Sequence, residues 1–318
     1  MASVGPDLPE VDTAQLEKKP QGPPGPEDPR ARRRRIVALV AIACGCLAAF
    51  ALLAGVLVSN RWASPPDAYI NSFVGAVRTP SLTVFMWLVS LPGDPPVIAP
   101  ITIVAALLLA MWGLRAGAVL LLATMAGEAV VQHFVEVAFA RARPPASFAL
   151  IQLPAAFSFP SGHAWASLLL ASVLGLVLWR SLPRNWTIRV AIVAGVAVVA
   201  LLVGASRLYL GVHWGTDVLG GWIMAVVSFV AVSALYLWVV KRFHIKELDP
   251  PLGPLWLRVT ATSLGLLLAV GLLAYDARLN PLAPGALKVT ELTSTHSNRD
   301  EAAVGPQHCL VGREPKCA

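Results

Sequence analysis

Long apolar blocks, separated by short polar connections, fill the sequence between positions 36 and 275. Each block has about 17–25 residues, the length that a helix needs to cross the hydrocarbon core of a bilayer. The blocks lie at Ile36–Val58, Val97–Gly113, Ala116–Phe139, Ser161–Trp179, Ile188–Ala205, Thr216–Val240 and Trp256–Tyr275. This pattern predicts an all-α fold, a polytopic membrane helical bundle with a six-span core and a seventh, C-terminal span.

The stretch Ser59–Asp94 is mostly polar and contains one short apolar piece, Ser81–Leu91. A helix of that length reaches only about 16 Å, which is too short to cross a bilayer. We therefore expect this piece to lie in the membrane interface or to re-enter the membrane from one side.

Four segments of different composition predict the domain organisation. Residues 1–35 are rich in proline, glycine and charge and are expected to form a disordered basic cytoplasmic tail. Residues 36–240 make the membrane core. Residues 241–275 hold a cytoplasmic loop and the extra transmembrane helix, and residues 276–318 a polar extracytoplasmic tail.

The composition excludes a soluble protein, because 56% of the residues are hydrophobic, only 14% are charged and the mean hydropathy is +0.67. The net charge of +7 does not indicate a nucleic-acid partner. A basic cluster stands just before the first block, at Arg30, Arg32, Arg33, Arg34 and Arg35. Such a cluster fixes that end in the cytoplasm. The sequence thus predicts a multi-pass protein of the cell (plasma) membrane with a cytoplasmic amino terminus.

Three arginines, Arg141, Arg143 and Arg207, fall on the predicted outer side of the membrane, against the positive-inside rule. Phosphate binding gives an arginine a reason to be there, because the planar guanidinium group matches the spacing of phosphate oxygens. The charge pattern therefore predicts an anion site on the outer side.

Two short motifs place reactive side chains at the same predicted outer boundary. In Pro160-Ser161-Gly162-His163, the histidine follows a Ser-Gly turn at a helix start, where amide N–H groups and a hydroxyl bind anions. The second motif is Ser206-Arg207-x5-His213-x3-Asp217. Because His213 and Asp217 are one helical turn apart, we expect them to share a helix face and to form a hydrogen bond. That bond would leave the imidazole Nε2 free to act as a nucleophile.

A polar stripe runs along the predicted third span, where Glu128, Gln132 and Glu136 recur every four residues and His133 lies beside them. Ionisable residues at membrane depth usually face the interior of a bundle and often mark function. A polar seam along which this helix packs against another helix explains the same pattern. The sequence does not choose between the two.

These motifs resemble those of the type-2 phosphatidic acid phosphatase superfamily, which includes the vanadium haloperoxidases, over about residues 36–240. The family pattern is Lys-x6-Arg-Pro, then Pro-Ser-Gly-His, then Ser-Arg-x5-His-x3-Asp. The second segment matches fully at 160–163 and the third at 206–217. The first segment matches at Arg143-Pro144, but Glu136 occupies the position of the lysine.

A carboxylate in the place of that lysine repels a substrate phosphate. Either Glu136 turns away from the site or another cation compensates, and Arg141 is the nearest candidate for that phosphate-binding role. The Arg143-Pro144 pair favours a helix end, because the residue before proline disfavours the α conformation. We expect the chain to leave the helix near Ala142, so that Arg141 folds back over the phosphate.

The resemblance implies a metal-independent lipid phosphatase with no cofactor. His213 would attack phosphorus, Asp217 would orient and stabilise that histidine, and His163 would protonate the leaving oxygen. The implied substrate is a polyprenyl diphosphate, phosphatidate or phosphatidylglycerol phosphate in the lipid bilayer, reached from the extracytoplasmic side. The implied phosphate-binding residues are Arg143, Ser161, Gly162 and Arg207.

Three other functions stay open on the sequence. A lipid-linked phosphotransferase would pass the phosphoryl group from the same histidine to an alcohol acceptor. A weakly active or non-catalytic lipid-binding relative is favoured by Glu136 and Glu128. A haloperoxidase shares the motifs, but those enzymes are soluble and this chain is not. The sequence also leaves open the oligomeric state and a disulfide between Cys309 and Cys317.

Overall fold

A computed structural model describes residues 29–59, 64–183, 185–245, 250–283 and 286. Contacts within the chain define two units, residues 1–42 and 43–318. Of the first unit, the structure describes residues 29–42, which form the amino-terminal part of a long helix. The second unit holds all the other described elements. Cys309 and Cys317 lie outside the described residues, so their pairing stays a prediction.

The described part of the chain is helical apart from its connections. The α-helices are α1 (Pro29–Ser59), α2 (Pro65–Ala76), α3 (Pro80–Ser90), α4 (Pro95–Met111), α5 (Arg115–Phe139), α6 (Gly162–Ser181), α7 (Trp186–Tyr209), α8 (Gly215–Phe243) and α9 (Leu255–Leu279). Proline stands at the first position of α2, α3 and α4, where its missing N–H has no helical partner to lose.

Six of these helices are long and apolar enough to cross a membrane, and a seventh span is formed if α3 and α4 count as one broken helix. The axes of α3 and α4 differ by 58°, and a short 3-10 turn, Leu91–Gly93, joins them. This bend agrees with the prediction that the short apolar piece does not cross by itself. The prediction of an all-α polytopic membrane protein is confirmed.

Two predicted segment boundaries differ from the structure. Residues 29–35, predicted as part of a disordered tail, belong to α1. At the other end, α9 continues beyond position 275 through Asp276 to Leu279. Residues 29–35 are rich in arginine, which favours the helical conformation. At the end of α9, Asp276 is buried in the fold, which composition alone does not reveal.

Helix α6 contacts α5, α7 and α8, and its buried face forms the centre of the main apolar core. Trp165, Leu169 and Val173 on α6 are fully buried and pack with Leu121 of α5. Gly221 of α8 lies so close to the start of α6 that an added Cβ would stand 2.6 Å from the Ser161 carbonyl oxygen. Small residues at such crossings let helix backbones approach each other in membrane proteins.

The connections before α6 and before α8 pack against each other beside the first turn of α6. The backbone N–H of Leu150 donates to the Leu210 carbonyl, and that of Ser158 to the Arg141 carbonyl. Gly211, in the turn before α8, has φ +70°, and a Cβ there would collide with the Phe148 carbonyl oxygen. Glycine is therefore required at this close approach, which brings the two motif segments together.

Candidate active site

A cavity of about 500 Å³ opens where the α3–α4 turn, the start of α6 and the two connections meet. Its lining includes five of the residues that the sequence predicted for the site, and these are Arg143, Gly162, His163, Arg207 and His213. Ser161, Asp217 and Arg141 lie behind this lining. The cavity continues into an apolar part lined by Ile103, Leu122 and Met125.

The imidazole of His213 is 2% exposed and lies in the turn that precedes α8. Its Nδ1 stands 2.9 Å from the Ser158 carbonyl oxygen. A carbonyl only accepts, so Nδ1 carries the proton and Nε2 keeps its lone pair. That Nε2 is 3.1 Å from Nη1 of Arg143. Burial and the charges of Arg143 and Arg207 hold the pKa of His213 well below its usual value of 6.5.

The predicted hydrogen bond between His213 and Asp217 is not present. The two groups are 3.6 Å apart, and the Ser158 carbonyl takes the place of the carboxylate at Nδ1. Helix α8 begins at Gly215, so Asp217 lies in its first turn while His213 precedes the helix. The Asp217 carboxylate instead accepts from the Trp214 backbone N–H at 2.8 Å and from the Ser158 hydroxyl. It therefore holds His213 through the surrounding chain.

Arg141 lies away from the cavity lining, which differs from the expectation that it folds over the phosphate. Its Nη2 donates to Asp67 at 2.8 Å, and its Nη1 donates to Thr216 at 2.7 Å and to Asp217. Two buried carboxylates thus balance its charge. Burial by itself raises the pKa of Asp67, but hydrogen bonds from Thr216 and Arg141 lower it below its ordinary value.

The different path of the chain explains this position. Helix α5 ends at Phe139, and Ala140 adopts a left-handed conformation with φ 44°. The helix therefore ends three residues before Ala142, where Pro144 had predicted its end. Arg141 then points towards α2 and the start of α8.

The cations in the cavity are Arg143 and Arg207. Arg143 donates from Nε to the Ala156 carbonyl at 2.8 Å and from Nη1 to the Val212 carbonyl at 3.0 Å, and burial lowers its pKa. Arg207 is 1% exposed, and its Nε–H has no acceptor among the described residues. Because Arg143 and Arg207 both line the cavity, the space beside them is the most favourable place for phosphate oxygens.

Ser161 and Gly162 form the start of α6. Ser161 is the N-cap residue, is fully buried and has a hydroxyl without a partner among the described residues. Its backbone N–H already donates to the Asp217 carbonyl at 3.0 Å. A Cβ on Gly162 would stand 2.8 Å from Nε2 of Gln132. Gly162 thus lines the cavity, whereas the unpartnered hydroxyl of Ser161 lies behind the lining.

Sequence reasoning missed Asp94, whose Oδ1 lies 2.6 Å from Nε2 of His163. This carboxylate follows the Leu91–Gly93 turn and precedes α4. Beside it lies the carboxyl group of Asp276 from α9, which is 1% exposed and accepts from Asn280 at 2.8 Å. An aspartate between glycine and two prolines in an apolar stretch was the available signal for Asp94.

The polar stripe of α5 faces the cavity, and Glu128, Gln132 and Glu136 all line it. Gln132 donates from Nε2 to Oε2 of Glu136 at 2.9 Å. Glu136 therefore does not turn away, and Arg143 is the nearby cation that offsets its charge. In the part of the chain that the structure describes, no group of histidine, cysteine and carboxylate side chains has the arrangement of a metal site.

Comparisons with known proteins agree with the motifs. A family model described as the PAP2 superfamily matches residues 117–244. Phosphatidylglycerophosphatase B of Bacillus subtilis (strain 168) is 30% identical over 199 residues, which are 62% of this chain and 95% of the relative. Undecaprenyl-diphosphatase of Sulfolobus acidocaldarius is 34% identical over 92 residues, 29% of this chain and 40% of that protein.

The fold has a solved counterpart. The crystal structure of a transmembrane PAP2 type phosphatidylglycerolphosphate phosphatase from Bacillus subtilis superposes with a TM-score of 0.55 and 28% sequence identity. The superposition covers 64% of this chain and 97% of that one. With motifs in the same order and a curated relative matched over nearly its whole length, the chain belongs to the PAP2 superfamily.

Proposed function

We propose that this protein is an integral membrane phosphatase that hydrolyses a lipid phosphate or diphosphate through a phosphohistidine intermediate, with its active site on the extracytoplasmic side. The observation that carries the proposal is the buried His213, whose Nδ1 faces the Ser158 carbonyl and whose Nε2 faces Arg143 in a cavity that continues into an apolar part. Such a cavity suits a substrate with an anionic head and a hydrocarbon tail.

The reaction has two displacement steps at phosphorus. In the first, Nε2 of His213 forms a bond to phosphorus while the bond from phosphorus to the lipid oxygen breaks, and His163 gives that oxygen a proton. In the second, His163 takes a proton from water as the water attacks the phosphohistidine. Inorganic phosphate leaves and both histidines return to their starting forms.

Arg143 and Arg207 supply the donors that stabilise charge on the equatorial oxygens during both steps. The hydroxyl of Ser161 has no partner among the described residues, but it is buried behind the cavity lining and does not face the proposed phosphate position. Asp94 orients the ring of His163 through its 2.6 Å hydrogen bond. Asp217 supports the turn that carries His213, so its role is to position the nucleophile.

The named relatives act on phosphatidylglycerophosphate and undecaprenyl diphosphate, and phosphatidate is a third candidate from the motifs. We expect phosphate release from one of these lipids to survive EDTA, because histidines and arginines surround the proposed phosphate position and already supply the nucleophile, the acid and the charge. Vanadate should inhibit by imitating the five-coordinate phosphoryl group.

The decisive experiment is a phosphoenzyme trap. Purified protein, quenched during turnover of lipid labelled in the scissile phosphate, should carry acid-labile, base-stable label, and His213→Ala should abolish both the label and phosphate release. His163→Ala should still form the phosphoenzyme from a substrate with a good leaving group, since general acid catalysis matters least there. Normal phosphate release by His213→Ala would refute the proposal.

A further inference from the structure

Glu128 is a buried carboxyl group that the proposed reaction does not use. It lies in the middle of α5, is 8% exposed and lines the cavity. Among the described residues, nothing forms a hydrogen bond or an ion pair with it. A polar group at membrane depth without a partner is costly, which is why such residues usually have a functional reason to be present.

The position of Glu128 along the cavity indicates which part of a bound lipid lies beside it. Glu136 lies close to Arg143, at the end where the phosphate is expected. Glu128 is two helical turns further along α5, which corresponds to about 12 Å. Ile103, Leu122 and Met125 line the same cavity in its apolar part. Glu128 therefore meets the lipid beyond its scissile phosphate.

The chemistry of a carboxyl group restricts what this part of the lipid contains. A protonated carboxyl donates to a carbonyl or hydroxyl oxygen, and an ionised one accepts from a hydroxyl. In an isoprenyl diphosphate the second phosphate is bonded through one oxygen to the scissile phosphate, so the part about 12 Å further along is the isoprenyl chain, which has neither group. A glycerol-based lipid carries ester oxygens and, in some headgroups, hydroxyls in the region below the phosphate.

We propose that Glu128 is a specificity-determining residue, which hydrogen bonds to oxygen atoms of a glycerol-based lipid phosphate and so favours that class over isoprenyl diphosphates. The proposal rests on the function proposed above and narrows its substrate class. It assigns the polar stripe of α5 to ligand binding, because Glu128 has no hydrogen-bonding partner on a neighbouring helix among the described residues.

The test compares kcat and KM of purified protein in mixed micelles on phosphatidylglycerophosphate, phosphatidate and undecaprenyl diphosphate. Glu128→Leu should lower kcat/KM for the two glycerolipids by about 5–10-fold, mainly through KM, because one hydrogen bond to the ligand is lost. The same variant should change undecaprenyl diphosphate turnover by less than about 2-fold. Glu128→Gln, which keeps a donor and an acceptor, should retain the preference.

Thr124→Val is the matched control. Thr124 lies one turn away on α5, is buried with a hydroxyl that has no partner in the described part of the chain, and does not line the cavity. It should leave all three substrates unchanged. An equal loss on glycerolipids and on the isoprenyl diphosphate in Glu128→Leu, or the same selectivity change in Thr124→Val, would assign Glu128 to helix packing and overturn the inference.

A measurement of lipid binding distinguishes failure of this inference from failure of the proposed reaction. If the natural protein releases phosphate from none of the three lipids, the proposed function fails. The inference is then decided by native mass spectrometry of protein in nanodiscs that contain phosphatidate and an isoprenyl phosphate. Preferential retention of phosphatidate that is lost in Glu128→Leu and kept in Glu128→Gln supports the subsite. Equal retention of both lipids rejects it.

Discussion

The proposed nucleophile His213 is surrounded by positive charge and carbonyl oxygen, and no described carboxylate forms a hydrogen bond with it. Arg143 stands at its Nε2 and the Ser158 carbonyl at its Nδ1. Burial and the cations disfavour a second proton on the ring, and the carbonyl fixes the first proton on Nδ1. The ring is therefore ready to attack without prior deprotonation.

This environment predicts an unusual acid limit for activity. Because the pKa of His213 is well below 6.5, the ring stays neutral as the pH falls through 6.5, and activity is lost only at lower pH. The acid limb of kcat/KM, corrected for the ionisation of the lipid phosphate measured by ³¹P NMR, should lie below pH 6.5.

Arg143→Gln tests how much the neighbouring cation adds to burial in lowering the pKa of His213. Removal of the neighbouring positive charge should move the acid limb to higher pH, towards the ordinary histidine value, while kcat/KM falls at all pH values. An acid limb at or above pH 6.5 in the natural protein would show that burial and these charges do not hold His213 neutral.

Arg141 predicts a stability effect. Its guanidinium group bridges Asp67 and Asp217, and all three side chains are buried. Arg141→Gln leaves two buried carboxylates without their cation, which should lower the free energy of unfolding by about 3–5 kcal/mol. Thermal unfolding of the purified variant in detergent measures this loss.

Two variants distinguish this structural role from phosphate binding. Arg143→Gln should lower kcat/KM with a smaller change in melting temperature, since Arg143 bonds to carbonyls and lines the cavity. Glu136→Lys should not restore Arg141→Gln. Restoration of activity by Glu136→Lys would mean that Arg141 does bind the phosphate.

At the scale of elements, the close approach of α8 to the start of α6 sets the positions of the motif residues. The Ser161 carbonyl, which an added Cβ at Gly221 would meet, begins the helical turn that carries His163. The hydrogen bond from the Ser161 N–H to the Asp217 carbonyl links the same two helices. A small displacement here moves the proposed acid relative to the proposed nucleophile.

Gly221→Ala should therefore reduce kcat by about 10–100-fold, because the added methyl group has backbone atoms of Ser161 and Trp165 within 3.2 Å. Gly195→Ala on α7 is the control, since nothing lies within 4 Å of the position that its added methyl group would occupy. It should keep full activity. Equal kcat values for the two variants would show that this contact does not fix the site.

At the scale of the whole molecule, α9 reaches beyond the region matched by the family model and contacts α4 and the Leu91–Gly93 turn. Trp87 donates to the Asn280 carbonyl at 2.9 Å, and Asn280 holds Asp276 beside Asp94. The carboxyl groups of Asp276 and Asp94 are close enough to interact electrostatically. Helix α9 thus supports the carboxylate that orients His163.

Asp276→Leu removes this support and should lower kcat by about 5–10-fold on lipid substrates while sparing p-nitrophenyl phosphate, whose leaving group needs little protonation. Asp276→Asn keeps a polar side chain of the same size beside Asp94 and should behave as the natural protein. Thr260→Val, elsewhere on α9, serves as control, because the Thr260 hydroxyl donates to the Trp256 carbonyl of the same helix. Equal losses on both substrates would make the role of Asp276 purely structural.

The topology is also testable across the whole chain. In a variant that lacks the native cysteines, Ala146→Cys should react with a membrane-impermeant maleimide in intact cells, and His244→Cys should react only after permeabilisation. Both positions are exposed, so accessibility depends on the side of the membrane. Arg184, in the predicted cytoplasmic connection before α7, lies outside the described residues. Labelling of His244→Cys alone in intact cells would place the site on the cytoplasmic side.

The sequence by itself determined the spans, the family and the five predicted site residues that line the cavity. Span length and apolar content are local properties, because every backbone group in a bilayer must find its partner within its own helix. The motif at 160–163 and the histidine at 213 were readable because their spacing is fixed by a helix start and a tight turn. The sequence also showed the polar stripe of α5, but it did not show that this stripe faces the cavity.

Only the tertiary structure decided which groups hold these residues in place. Ser158, 55 residues before His213, fixes its tautomer, and Asp94, 69 residues before His163, orients that ring. Arg141 is paired with Asp67, 74 residues away. Local spacing predicted a bond from His213 to Asp217, but the start of α8 between them gave the carboxylate other donors. Buried polar groups bond to whatever the packing of distant helices brings within reach, and no local pattern in the sequence encodes that choice.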